Sequence, residues 1–126
     1  YYCLMLSDID CDDDVYSTNS FAVAVVHPSV TIPTVRMVVQ NMVSVCSPIV
    51  LDVSGSTGNA GRSWYSFEFT VSVVSAAPNA AQLSSRNIMQ SFLNNLDAID
   101  LSFPIHIDPS MHVAGSYRFG LTLYNY

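Results

Sequence analysis

No lysine occurs among the 126 residues, and charge is scarce overall: four arginines stand against ten acids, a formal net charge of −6. A basic face that could neutralise phosphates is therefore excluded, and with it a nucleic-acid partner. The same shortage argues against an anionic membrane surface. Long apolar runs are missing too. Nothing approaches the roughly 20 residues that a bilayer-spanning helix needs, and the longest β-like run, Phe21 to Val26, is strand-sized. No initiator Met and no signal peptide with a basic start is present, and Tyr126 falls in what reads as a strand, so a segment of a larger protein is expected.

Further absences narrow the chemistry. There is no Gly-x-Ser-x-Gly elbow, so a serine hydrolase is not expected. The glycine-rich stretch Ser54 to Gly61 lacks the Gly-Lys-Ser/Thr of a phosphate loop and reads as a turn. His27, His106 and His112 match no zinc spacing, and His106 falls on the polar side of its segment. No Asn-x-Ser/Thr sequon occurs, so N-glycosylation is not expected. The chain reads as non-enzymatic.

Three cysteines are present, Cys3, Cys11 and Cys46. In an oxidising compartment this odd count allows one disulfide and one thiol, or a partner outside the segment. Cys3 with Cys11 would close a small loop; either of them with Cys46 would pin the N-terminal segment onto the rest. Spacing does not choose between them.

What the chain does have is apolar matter in alternation. Half of its residues are hydrophobic and only 11% are charged, where a soluble domain carries about a quarter. Such a surface needs cover, which neighbouring modules, self-assembly or glycans would each supply. Two regions separate by composition: an acidic linker segment over 1–20 and a strand-rich domain over 21–126. Asp8, Asp10, Asp12, Asp13 and Asp14 crowd the first region. Asp8, Asp10, Asp12 and Asp14 are the candidate ligands for calcium, which takes six to eight oxygens. The glycine and glutamate of an EF-hand loop are absent, and a solvated acidic linker is the simpler reading.

From Phe21 onward the pattern predicts strands at Phe21 to Val26, Arg36 to Val45 and Ile49 to Val53. Tyr65, Phe67, Phe69, Val71 and Val73 then alternate with Ser66, Glu68, Thr70 and Ser72, which predicts a half-buried antiparallel strand. Met89, Phe92, Leu93 and Leu96 have helical spacing and predict one helix around residues 80–95, ended by Asn94 and Asn95. Phe103, Ile105 and Ile107 form the next alternating set. After a turn at Ala114-Gly115 come Tyr117, Phe119, Leu121 and Leu123. This order implies an all-β, immunoglobulin-like antiparallel β-sandwich, with the helix as an inserted crossover between sheets. Phe67, Phe69, Tyr117 and Phe119 are its expected core.

The stretch Cys46-Ser-Pro-Ile-Val-Leu-Asp-Val-Ser-Gly-Ser-Thr-Gly-Asn-Ala-Gly-Arg62 resembles the opening of receptor-for-egg-jelly (REJ) modules and the related polycystic-kidney-disease (PKD) immunoglobulin-like domains. The ending Ala114-Gly-Ser-Tyr-Arg-Phe-Gly-Leu-Thr-Leu-Tyr-Asn125 is similar to that family's closing strand. The resemblance covers about residues 36–126. It departs at Phe67, near which the family usually carries Trp; Trp64 stands earlier and in the opposite parity. The turn has its own physical logic. Asp52 and Ser54 can bond turn backbone, Ser56 lies in the same turn, Gly55, Gly58 and Gly61 permit positive φ, and Arg62 follows.

The resemblance implies a module of a large cell-surface or extracellular-matrix protein, serving adhesion, mechanical linkage or the ectodomain of a polycystin-like receptor. A filament or appendage subunit, packed against neighbouring modules, is the expected role. Two alternatives stand beside it: a ligand-binding receptor module, and a viral capsid or fibre β-sandwich, which would dispense with disulfides.

Overall fold

The structure, a computed structural model, describes Ala24 and residues 31–126. The acidic segment over 1–20 lies outside the described residues, as does the expected strand Phe21 to Val26 apart from Ala24. The described residues form a small β-rich domain of two antiparallel sheets and one α-helix.

The first sheet joins β1 (Val38–Val39), β2 (Ile49–Asp52) and β4 (Ile105–Ile107) in the order β1-β2-β4. The second is a ribbon of β3 (Ser66–Val73) and β5 (Tyr117–Tyr124), paired over eight residues from Ser66 opposite Tyr124 to Val73 opposite Tyr117. Helix α1 (Ala80–Asn94) leaves the ribbon after β3, and the chain reaches the other sheet at β4 after a 3-10 turn, Ala98–Ser102. The expected crossover is therefore present. Asn79 starts the helix with a capping box: its side chain accepts the Gln82 N–H at 2.8 Å, and Gln82 Oε1 accepts the Asn79 N–H at 3.1 Å.

Alternation puts one face of every long strand inside. Ile49, Leu51 and Val53 from the β2 segment, Ile105 and Ile107 from β4, Phe69 and Val71 from β3, and Leu123 from β5 meet Met89 and Leu93 of α1 in one cluster. Each fully buried side chain of this size contributes about 1.5–3 kcal/mol. Phe69 is wholly buried, while Phe67, Tyr117 and Phe119 are half-buried and pack against the cluster, so all four expected core residues contribute.

Three expectations need correction. The Val-rich stretch Arg36 to Val45 is strand only at Val38–Val39, opposite Asp52 and Leu51, because the chain bends away from β2 at Asn41 and turns at Val45 to Ser47. Tyr65, expected inside, is exposed and stacks edge-on against Tyr126 at 5.1 Å. A bend at Tyr65 precedes the strand and shifts the parity, which carries Trp64 into the core. Phe103, read as the first member of an alternating strand, follows the 3-10 turn and is 63% exposed.

Candidate functional site

The Leu51-Asp52-Val53-Ser54 turn organises one end of the first sheet. Asp52 Oδ1 accepts the Ser54 N–H at 3.0 Å and the Ser54 hydroxyl at 2.6 Å. These bonds, with a smaller contribution from the Arg36 charge, hold the Asp52 carboxyl below its ordinary pKa. Ser56 then fastens the turn to the chain before β1. Its Oγ accepts the Arg36 N–H at 3.0 Å and donates to the Arg36 carbonyl at 3.2 Å. One residue on, Thr34 and Thr57 exchange two backbone hydrogen bonds.

Glycine acts here in two ways. Gly58 and Gly61 have φ of 101° and 76°, as expected. Gly55 does not have positive φ, which corrects the expectation; a Cβ there would instead lie 2.9 Å from Arg36 Cδ, so its small size admits the arginine. Ala60, unforeseen, adopts φ 53°. Arg62 N–H donates to the Asn59 carbonyl at 3.0 Å and closes the turn. Asn125, just past β5, donates through Nδ2 to the carbonyls of Thr31 and Gly58.

A second Asp-x-Ser turn stands at the end of β4. Asp108 Oδ1 accepts the Ser110 N–H at 2.9 Å and hydroxyl at 2.6 Å, which lowers the Asp108 pKa, helped slightly by the His112 charge. His112 is buried, with Nε2 at 3.1 Å from the Ser47 carbonyl. His106 is exposed, as its parity required. Among the described residues, no three His, Cys, Asp or Glu side chains come together as a metal cluster.

The two edges of the ribbon differ. On β3, three outward backbone groups are taken by helix amides: Phe69 N–H donates to Asn94 Oδ1 at 2.7 Å, Asn94 Nδ2 donates to the Phe69 carbonyl at 2.9 Å, and Val71 N–H donates to Gln90 Oε1 at 3.0 Å. On β5, no strand among the described residues pairs with the outer edge. Beside the start of β5 lies an open groove of about 630 Å³, lined by Val39, Met42, Val43, Val113, Tyr117 and Phe119 among others. Met42 is 92% exposed. Among the described residues, this edge and its groove, which Gln40, Asn41 and Arg118 also line, are the candidate interaction surface.

The structure thus brings Asp52, Ser54, Gly55 and Ser56 together around Arg36, with Gly61 and Arg62 closing the following turn. The calcium candidates Asp8, Asp10, Asp12 and Asp14 lie outside the described residues, as do Cys3 and Cys11; Cys46 is exposed. The Asn94 and Gln90 amides, Asn125 and buried His112 were not anticipated as structural contacts. The i, i+4 spacing of Gln90 and Asn94 puts both amides on one side of the helix, and that was the available signal.

No helix among the described residues is long and apolar enough to cross a membrane. No protein-family model matches the chain, and neither the curated proteins nor the solved structures include a detectable relative.

Proposed function

We propose that the chain is an immunoglobulin-like β-sandwich module of REJ/PKD type, belonging to an extracellular or cell-surface structural protein. It acts by packing against neighbouring modules and catalyses no reaction. The observation that carries the fold reading is the pairing order. In an immunoglobulin sandwich, strands A, B and E share one sheet while C and F pair in the other. Taking β1, β2, β3, β4 and β5 as A, B, C, E and F reproduces both sets of neighbours.

Two details support the same assignment. Tyr117, the first residue of β5, donates its hydroxyl to the Val113 carbonyl at 3.0 Å, the bond of a tyrosine corner at the start of strand F. Trp64 is buried at the threshold of β3, near the place where immunoglobulin domains bury a Trp on strand C.

The linking role draws support from the surface. Ile32, Val38, Met42, Val45, Ile99 and Phe103 are exposed on a chain poor in charge, and such apolar area favours burial against another module. Sedimentation velocity over a concentration series tests this. Concentration-dependent association is expected; a chain that stays monomeric at every concentration reached overturns the linking role and favours a ligand-binding module.

A further inference from the structure

We infer that the outer edge of β5 pairs with β5 of a second copy, antiparallel about a two-fold axis through Gly120, to make one four-stranded sheet β3-β5-β5-β3. This rests on the linking reading above and names its surface.

The ladder itself shows which backbone groups are free to pair. Val74 N–H donates to the Ser116 carbonyl, so even-numbered residues of the ribbon bond each other across it. Odd-numbered residues therefore turn their N–H and C=O outward. On β3, Phe69 and Val71 do so, and helix amides receive them. On β5 the corresponding residues are Tyr117, Phe119, Leu121 and Leu123, and no strand among the described residues pairs with their outward groups.

Arg118 is the one charged residue in β5 that could blunt that edge. The strand's eight residues contain no proline, no lysine and no acidic side chain, and its register with β3 runs without a bulge. These are the devices by which sheet proteins prevent edge pairing.

Self-pairing has a definite register. Outward groups match only where odd residues face odd residues, and the axis at Gly120 engages all four of them: Tyr117 faces Leu123, and Phe119 faces Leu121, of the second copy. The apolar inner face then continues across the junction. On the outer face Arg118 comes opposite Thr122 of the second copy, so no like charges meet.

Charge adds a positive reason. Thr122 lies beside Glu68 within each chain. In the joined sheet, Arg118 is thus two strand spacings, about 10 Å, from Glu68 of the second copy, within the combined reach of the two side chains. Within its own chain Arg118 faces Ser72, four residues from Glu68 along β3, or about 13 Å. The two-fold arrangement creates two such cross-pairs.

Thr122→Lys is the test, read by sedimentation equilibrium on the full 126-residue chain. The introduced lysine lies beside Glu68 of its own chain, which favours the monomer fold, and opposite Arg118 of the second copy, which opposes pairing. Dimer affinity is expected to follow this charge pattern: about ten-fold weaker in Thr122→Lys, and partly restored in Thr122→Lys combined with Arg118→Glu, which pairs the new lysine but gives up the Arg118–Glu68 attraction. Amide exchange at Phe119 and Leu121 should slow only at concentrations where the dimer forms, and thermal melting checks that each variant is folded. Association that persists unchanged in Thr122→Lys overturns the β5 edge while leaving the linking role intact. A strictly monomeric chain, with Phe119 and Leu121 amides already protected, assigns the edge to a strand of the same chain and overturns both.

Discussion

The side-chain amide of Asn94 grips the backbone of Phe69 from helix α1, accepting its N–H at 2.7 Å and donating to its carbonyl at 2.9 Å. A single residue thus does for β3 what a neighbouring strand would otherwise do. It also locks the helix to the strand at the most buried aromatic of the core.

Asn94→Ala leaves both Phe69 groups without these partners and is expected to cost about 1–3 kcal/mol in urea unfolding. Asn94→Asp separates the two bonds, since a carboxylate keeps the acceptor for the N–H and cannot donate to the carbonyl. Its loss should be no smaller than that of alanine at neutral pH and should shrink as the carboxyl is protonated. Equal stability of wild type and Asn94→Ala would show the clamp to be energetically idle.

Much of this arrangement was legible in the residues, and the illegible part has a physical reason. The ribbon strand from Phe67 to Val73 could be read because burial on one face imposes a two-residue period. Met89, Phe92, Leu93 and Leu96 revealed α1 in the same way, within a residue of its ends. The stretch around Val38 misled because valine reports fitness for a pleated surface and says nothing of where the chain bends away from its partner strand, as it does at Asn41. Asn94 looked like a stop signal, since an amide near a helix end has that local meaning; its bonds to Phe69 span 25 residues, and its i, i+4 spacing from Gln90 was the one trace of them. Asp52 and Ser54 were legible because their bonds are local. The β5 edge proposed for pairing was not, because an open strand edge is a property of backbone groups shared by every sequence.

The two positive-φ glycines should respond differently to alanine. At Gly58 an added Cβ would lie 2.6 Å from the Ile32 carbonyl oxygen, on top of the cost of φ 101°. At Gly61 nothing lies within 4 Å. Gly61→Ala is therefore expected to cost about 1–2 kcal/mol from the backbone alone, and Gly58→Ala clearly more. Thermal melts of the two variants make the comparison, and the reverse order would contradict the packing described.

Acid should loosen the fold through the twin Asp-x-Ser turns. Asp52 and Asp108 have folded-state pKa values lowered first by the Ser54 and Ser110 hydroxyls. A depressed carboxyl stabilises the folded state above its unfolded pKa, and that contribution disappears as pH falls through the folded value. Stability is expected to decline below about pH 4. Asp52→Asn with Asp108→Asn should flatten this part of the profile, measured by urea midpoints from pH 7 downward; an unaltered acid limb would remove both turns from the account.

The Tyr117 hydroxyl gives a narrower test of the corner it builds. Tyr117→Phe keeps the ring against the core and removes only the bond to the Val113 carbonyl. A loss of about 0.5–1.5 kcal/mol is expected, with denaturant dependence unchanged. A neutral substitution would mean that water serves the Val113 carbonyl equally well.

Asn125 carries a topological consequence. By holding Thr31 and Gly58 at the end of β5, it brings the two extremities of the described fold, 94 residues apart in sequence, to a single point. A short flexible bridge could therefore seal them into a ring, and fresh termini could be opened at the exposed loop 60–63. The same adjacency lets the unit be spliced into a surface loop of an unrelated host without prising that loop apart.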